Sequence, residues 1–519
     1  MRRFAFVIAL TLVGCDISGS DPLPDGYFQD AARAFKVELD SKEKDSDGLA
    51  KRIRPMTGLD AAPVSSGKLE DTSGSFQISG VATARFPKGW GCDLTLNSIF
   101  QNNMADPDSI ESYTLPGFER IVDEFASRVI APIWQAQYDI GRDSCVADGN
   151  VGRCRLIGDP TTWGKVVYTL FNHLDKRVRR YSAAQYGEPL AALGLRPGYV
   201  ELLPDPMGSA GYSETGFDFL IPVYSAFFEA LEVARVEQGA SQDAAIIAPS
   251  FRVAGLNEVT AAGSPTARFV DFINGRAGPG PDVWSLLATV ASPQEHLELF
   301  KEYAKLLPAN AAVGDLAMRV APTVWQKFGD KLVTQKQRSN YLGAFAAVVR
   351  ILQQDNLELF VLDRWGGPGS PYGGTQTGED LFFDSEGKIL PAMIGFMPFS
   401  FMANGHYERV RVVRSDSAAA SGDVYVLAGK NPNGKAAILV AALPKAGDDR
   451  IGYQVNVELN ITGLGIGNWE MQRLVIDQDS TSLRYVERSK TPPPLGGALL
   501  IERHMVVPSV QYFELSPVL

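Results

Sequence analysis

A (β/α)8 barrel followed by a C-terminal all-β sandwich is the fold the sequence predicts, and three observations carry it. Strand-like and helix-like stretches alternate from about residue 76 to 405. Beyond 406 the helical periodicity stops, and short stretches alternate apolar and polar residues between turn residues. The 519 residues are enough for a barrel of about 250 residues with insertions and for a second domain.

The chain opens "MRRFAFVIALTLVGC". Arg2 and Arg3 precede an apolar run from Phe4 to Val13 that is too short to span a bilayer, and the run ends in Leu-Val-Gly-Cys. That ending resembles a bacterial lipobox, which makes residues 1–15 a lipoprotein signal peptide and Cys15 the lipidated residue. Acyl chains at Cys15 would anchor the protein firmly, since each buried methylene adds roughly 0.8 kcal/mol. The expected location is the bacterial cell envelope, exported and lipid-anchored, periplasmic or surface-facing. Residues 16–75 are rich in Ser, Asp, Gly, Pro and Lys and read as a flexible tether with one short helix near Ala31 to Leu39. In an oxidising compartment Cys145 and Cys154, bracketing "CVADGNVGRC", are the expected disulfide, leaving Cys92 as a free thiol.

Within the barrel region, 76–405, "GYVELL" is a short apolar strand. The segment "GFDFLIPVYSAFFEALEVARVEQG" that follows has apolar residues at helical spacing and stops at Gly239. "AAIIAPS" is the next strand. In "SPQEHLELFKEYAKLL" Ser292 is an N-cap, Pro293 stands at the first helical position and Glu295 completes a capping box. "DLAMRVAP", "TQKQRSNYLGAFAAVVRILQQ" and "LELFVLDRW" continue as strand, helix and strand. In residues 406–519, seven stretches from "ERVRVVRS" to "SVQYFELSP" read as sandwich strands, with "GLGIG" at Gly463 to Gly467 as a turn between two of them.

A net charge of −11 supplies no basic face, so nucleic acid is not an expected partner. The four histidines, His173, His296, His406 and His504, lack paired metal-ligand spacing. There is no Walker loop and no G-x-S-x-G elbow. No metal and no cofactor are expected. Carboxylates and aromatics remain, the equipment of carbohydrate sites.

A set of landmarks in a fixed order then resembles glycoside hydrolase family 39, the β-xylosidase and α-L-iduronidase type. "TTWGKVVYTLFNHLDKRVRRY" precedes "YVELLPDP", where Tyr199, Glu201 and Pro206 match the family's Y-W-E-I-W-N-E-P. "FVLDRW" is similar to its strand-eight segment, "LFFDSEGKILPAM" to its G-L-x-x-x-x-G-x-P-K-P-A-Y, and "VIDQDSTS" to its R-I-D-x-x-H-S-N. The likeness spans about residues 76 to 519. It implies a substrate that is a polysaccharide or oligosaccharide, met at the C-terminal mouth of the barrel.

The departures fall on the chemistry. Pro204 and Asp205 stand where the family has the Asn and the acid/base Glu, so Asp205 occupies the acid/base position one methylene short. A displacement of about 1 Å at a reacting centre is worth about a hundredfold in rate. The family's nucleophile on strand seven corresponds to Arg319, and a guanidinium cannot attack an anomeric carbon. Leu287 replaces a family His. Glu201, Asp363 and Trp365 are the expected substrate-binding residues. Glu188 in "YGEP" is a loop glutamate, and His173 a capping or core residue. The expectation is a lipid-anchored glycosidase-like protein that binds or processes a polysaccharide, with the retaining mechanism lost: a pseudo-glycosidase. The alternatives are an active glycosidase pairing Asp205 with Asp282, Asp315 or Asp363, and an envelope scaffold with no glycan ligand.

Overall fold

The structure is a computed structural model. It describes residues 32–60, 75–76, 78–85, 106, 108–113, 115, 119, 123, 130–136, 165, 169–170, 172–173, 176–177, 198–203, 214–238, 245–276, 278–329, 331–332, 334–363, 381–384, 388–416, 423–445, 448–465, 467–480, 485–491 and 497–518. Cys15, Cys92, Cys145, Cys154, Glu188, Pro204, Asp205, Pro206 and Trp365 lie outside the described residues.

The first strand, β1 (Arg33–Lys42), overturns the expected tether and its helix. Phe35, Val37 and Leu39 are buried while their neighbours are not, a period of two that suits a half-buried strand. The charged residues between them gave the stretch its linker-like composition. The strand pairs antiparallel with β11 (Glu408–Arg414) and parallel with β14 (Gln454–Thr462), so the chain enters the sandwich before it enters the barrel.

The barrel strands are β2 (Gly58–Asp60), β3 (Thr83–Arg85), β4 (Ala131–Ala136), β5 (Tyr199–Leu202), β6 (Ala245–Ile247), β8 (Val283–Val290), β9 (Ala312–Val320) and β10 (Leu359–Asp363). All pair in parallel, and the β2–β10 and β6–β8 pairings close the ring. β7 (Phe251–Val253) adds a pairing to β8. The barrel therefore begins at residue 58, not 76. Strands one and two have three residues each, too short to show a period.

Inside the ring Ile133, Tyr199, Ile247, Val283, Leu287, Leu316, Leu359 and Val361 form a hydrophobic core. Gly58 has to be glycine: a Cβ there would lie 2.6 Å from the Phe360 carbonyl oxygen and 2.7 Å from Val361 Cγ2. Outside run the helices α1 (Glu214–Gln238), α2 (Asn257–Thr260), α3 (Pro265–Asn274), α4 (Pro293–Leu306), α5 (Pro322–Lys327) and α6 (Gln335–Leu352). α7 (Pro391–Ile394) and α8 (Met397–Asn404) lead out of the barrel. At the start of α4 the Ser292 side chain accepts from Glu295 N–H, while the Glu295 carboxylate takes Ala291 N–H rather than that of Ser292. The full capping box appears instead at α6, between Thr334 and Gln337.

The second domain is one curled sheet of nine strands. Besides β1, β11 and β14 it contains β12 (Val424–Lys430), β13 (Ala436–Ala442), β15 (Trp469–Ile476), β16 (Tyr485–Thr491), β17 (Ala498–Val506) and β18 (Ser509–Pro517). β16, whose side chains are mostly exposed, is, with β1, one of the two strands the sequence pattern did not reveal. The two edge strands approach each other, with Arg503 of β17 bonded to Glu487 of β16 at 2.9 Å. Phe35, Val37, Val440, Leu459 and Phe513 fill the curl. α6 packs on this domain, and Asn340 Nδ2 donates to the Pro508 carbonyl at 2.7 Å.

Candidate functional site

Strand parity decides what meets the barrel mouth. Leu59, Ala84 and Leu362 belong to the outer core under the helices, so their neighbours Asp60, Arg85 and Asp363 face the axis. Register places them side by side, Asp363 opposite Asp60 and Asp60 opposite Arg85, at the C-terminal ends of strands eight, one and two. A ligand of a parallel barrel is met at that end.

Arg85 is the hub. Its Nε donates to Glu201 Oε2 at 2.7 Å, one terminal nitrogen to Glu201 Oε1 at 3.0 Å and the other to Asp60 Oδ2 at 3.2 Å. Glu201 also accepts from Gln135 Nε2 at 3.2 Å and from the Ser250 hydroxyl. Burial pulls the Arg85 guanidinium down, but Glu201 and Asp60 outweigh it and hold it above its ordinary value. Burial pushes the Asp60 carboxyl up to about 7, with Arg85 opposing and Asp363 adding. Asp60 Oδ1 is buried and has no hydrogen-bond partner among the described residues.

Arg319 completes the row. Asp315 faces outward, to His296 on α4, and a regular strand would turn residue 319, four positions on, the same way. β9 instead carries one extra residue. Asp315 to Arg319 spans the interval that Leu286 to Thr289 covers on β8, and Asp315 to Met318 that of Phe360 to Leu362 on β10. This is a β-bulge, and consecutive residues Leu316 and Ala317 both face the barrel core. Parity reverses there, so Arg319 faces the mouth, where its Nε donates to Asp363. Its two terminal nitrogens have no partner among the described residues, and the side chain is 21% exposed.

The layer thus reads cation, anion, anion, cation across strands seven, eight, one and two, with Glu201 of strand four bonded to Arg85. Each of its three carboxylates is bonded to a guanidinium. Retaining hydrolysis asks for two carboxyls about 5 to 5.5 Å apart, one of them available to attack. On strand seven the residue that faces this layer is Arg319, a guanidinium and not a carboxyl.

The other expected residues fall as follows. Glu201, expected to touch substrate, is fully buried, and both its oxygens are occupied; it orients Arg85. Asp363 is fully buried and lies under Arg319. Asp282 accepts from Ile246 N–H at the start of strand six, the end remote from the mouth, and Asp315 is on the outer face, so neither serves as a second carboxylate. Leu287 is part of the barrel core. His173 contacts Glu119 at 2.6 Å. Asp60, Arg85, Gln135 and Ser250 were not foreseen, and the sole signal for the first two was a charged residue ending each of two very short apolar stretches.

No family profile matches the sequence, and no curated protein matches it. Solved structures do match. A glucosidase from Croceicoccus marinus superposes with a TM-score of 0.67 at 15% identity, over 95% of this chain and 100% of that one. A monomeric β-xylosidase from Caulobacter crescentus gives a TM-score of 0.62 at 11% identity, over 94% and 100%. The glycoside hydrolase family 39 enzyme of Xanthomonas axonopodis pv. citri gives 0.62 at 12%, over 96% and 100%. Barrel and sandwich together therefore have the architecture of family 39 glycosidases.

Proposed function

We propose that the protein binds a polysaccharide or oligosaccharide at the C-terminal mouth of its barrel and has lost the retaining two-carboxylate chemistry associated with this architecture. The observation that carries this is Arg319, a protonated side chain on strand seven, tied to Asp363 and partly exposed. A guanidinium donates hydrogen bonds to sugar oxygens but does not form a glycosyl ester. Asp205, in the family's acid/base register, would then face a strand seven that offers a guanidinium and not a nucleophilic carboxylate. The "LVGC" ending at Cys15 supports a lipid anchor and a place in a bacterial cell envelope, where glycans are abundant. The test is a glycan array joined to a hydrolysis screen on wild type, Asp205→Ala and Arg319→Ala. Wild type is expected to bind a glycan class without releasing reducing ends, and Arg319→Ala to weaken that binding at least tenfold. Turnover by wild type that disappears in Asp205→Ala overturns the proposal in favour of an active glycosidase. Absence of any bound glycan favours an envelope scaffold.

A further inference from the structure

We propose that Asp315, His296 and Gln353 form a buried clamp that holds the strand-seven bulge and thereby turns Arg319 into the mouth. None of the three reaches the mouth, so they are positioning residues.

A bulge breaks the ladder and leaves backbone amides in need of acceptors. Asp315 supplies one oxygen for two of them: Oδ1 accepts from Ala317 N–H within the bulge at 3.2 Å and from Ala288 N–H of strand six at 3.3 Å. The carboxylate thus ties the extra residue of strand seven to its neighbour at the point where the register slips.

Its other oxygen, Oδ2, meets His296 Nε2 at 2.9 Å. His296 Nδ1 in turn faces Gln353 Nε2 at 2.7 Å. An amide nitrogen only donates, so Nδ1 accepts and the ring proton sits on Nε2, aimed at Asp315. Gln353 Nε2 also bonds the His296 carbonyl at 3.1 Å. His296 is fixed further by the Phe300 ring, 4.6 Å between centroids. All three side chains are fully buried. Burial raises the Asp315 carboxyl, and His296 and the two amides pull it back. Strand seven is thus coupled to the helix before it and to the end of the helix after it. An apolar outer face would pack as well; the polar chain does what packing cannot, which is satisfy amides at one irregular position.

The inference rests on the reading of Arg319 as the ligand-facing group. Its readout is the direction of Arg319 and not glycan binding, so failure of either is separable from failure of the other. The experiment is the rate of phenylglyoxal modification of Arg319, followed by peptide mass spectrometry in wild type, Asp315→Leu and Asp315→Asn. Circular dichroism reports an intact fold, and the reaction of exposed Arg411 normalises the reagent. Asp315→Leu removes the acceptor, the strand regains regular alternation, and Arg319 modification falls at least tenfold. Asp315→Asn keeps an acceptor for both amides, and its amide group can donate to His296 if the relay reverses through Gln353, whose Oε1 has no partner among the described residues. Its rate stays within twofold of wild type. A folded Asp315→Leu protein with an unchanged rate overturns the proposal, as does an Asp315→Asn protein that loses as much as Asp315→Leu. Should Asp315→Leu not fold, hydrogen exchange in wild type decides: Ala317 and Ala288 amides are expected to be protected like the neighbouring ladder, and an Ala317 amide that exchanges like an exposed turn overturns the proposal.

Discussion

Asp60→Asn is the substitution whose consequence follows most directly from the charged layer. In the folded protein burial raises the Asp60 carboxyl from an ordinary 3.8 to about 7. The folded chain therefore keeps a proton that the unfolded chain releases near 3.8. Between those values the folded state binds more protons, so this group makes stability fall as pH rises through the window. The contribution is most favourable below about pH 4 and is fully lost above about pH 7. One proton corresponds to about 1.4 kcal/mol per pH unit, hence about 4 kcal/mol across the window. Asparagine retains an acceptor for Arg85 and does not titrate. The stability of Asp60→Asn minus that of wild type is expected to rise by about 4 kcal/mol from pH 4 to pH 8, whatever its offset at pH 4. Urea unfolding followed by tryptophan fluorescence at half-unit pH steps measures it, and the subtraction cancels the titrating groups that lie away from the charged layer. A difference that stays flat within about 1 kcal/mol would refute the reasoning, because the excess negative charge of the layer would then not reside on Asp60.

Two further outcomes concern the frame that holds this site. Arg33 of β1 grips Asp423 with contacts of 2.9 and 2.8 Å, both side chains buried; Arg33→Ala leaves the buried carboxylate to the more distant Arg414 at 3.6 Å and Lys445 at 4.0 Å and is expected to destabilise by about 3 kcal/mol in urea unfolding, an effect under 1 kcal/mol speaking against β1 as part of the sandwich. Arg350 is fully buried, with Nε on the Met56 carbonyl at 2.9 Å and the guanidinium 4.3 Å from the Phe396 ring centroid, and burial pulls it down to about 9. Arg350→Ala opens a cavity and should cost about 3 to 5 kcal/mol, whereas Arg350→Met, which fills the space without a buried charge, should lose less than half of that in the same assay; the reverse order would show that the cation itself holds the site.

The sequence reveals what repeats and hides what is short. α4, α6 and seven of the nine strands of the second domain carry three or more periods each, and their positions follow the pattern of apolar residues. β2 and β3 have three residues apiece, less than two periods, although they place Asp60 and Arg85 in the site. β1 has the period of a strand in Phe35, Val37 and Leu39, but charged residues between them mask it when composition is averaged. The bulge is invisible for a different reason: "DLAMRVAP" contains nothing that marks an extra residue, because the bulge is defined against the registers of two other strands. Strict alternation from Asp315 would have turned Arg319 toward the helices. A likeness in the order of landmarks brought Arg319 to attention, and only the register explains why it faces the mouth.

The most direct measurement is covalent trapping. Retaining glycosidases form an ester between a carboxylate and the sugar, and gluco- and xylo-configured 2-deoxy-2-fluoroglycosyl fluorides make that ester long-lived enough to weigh. With Arg319 at the strand-seven station, the intact mass of the protein is expected to stay unchanged after prolonged exposure to both reagents. A glycosyl adduct mapped to an aspartate or glutamate of the barrel mouth would contradict it.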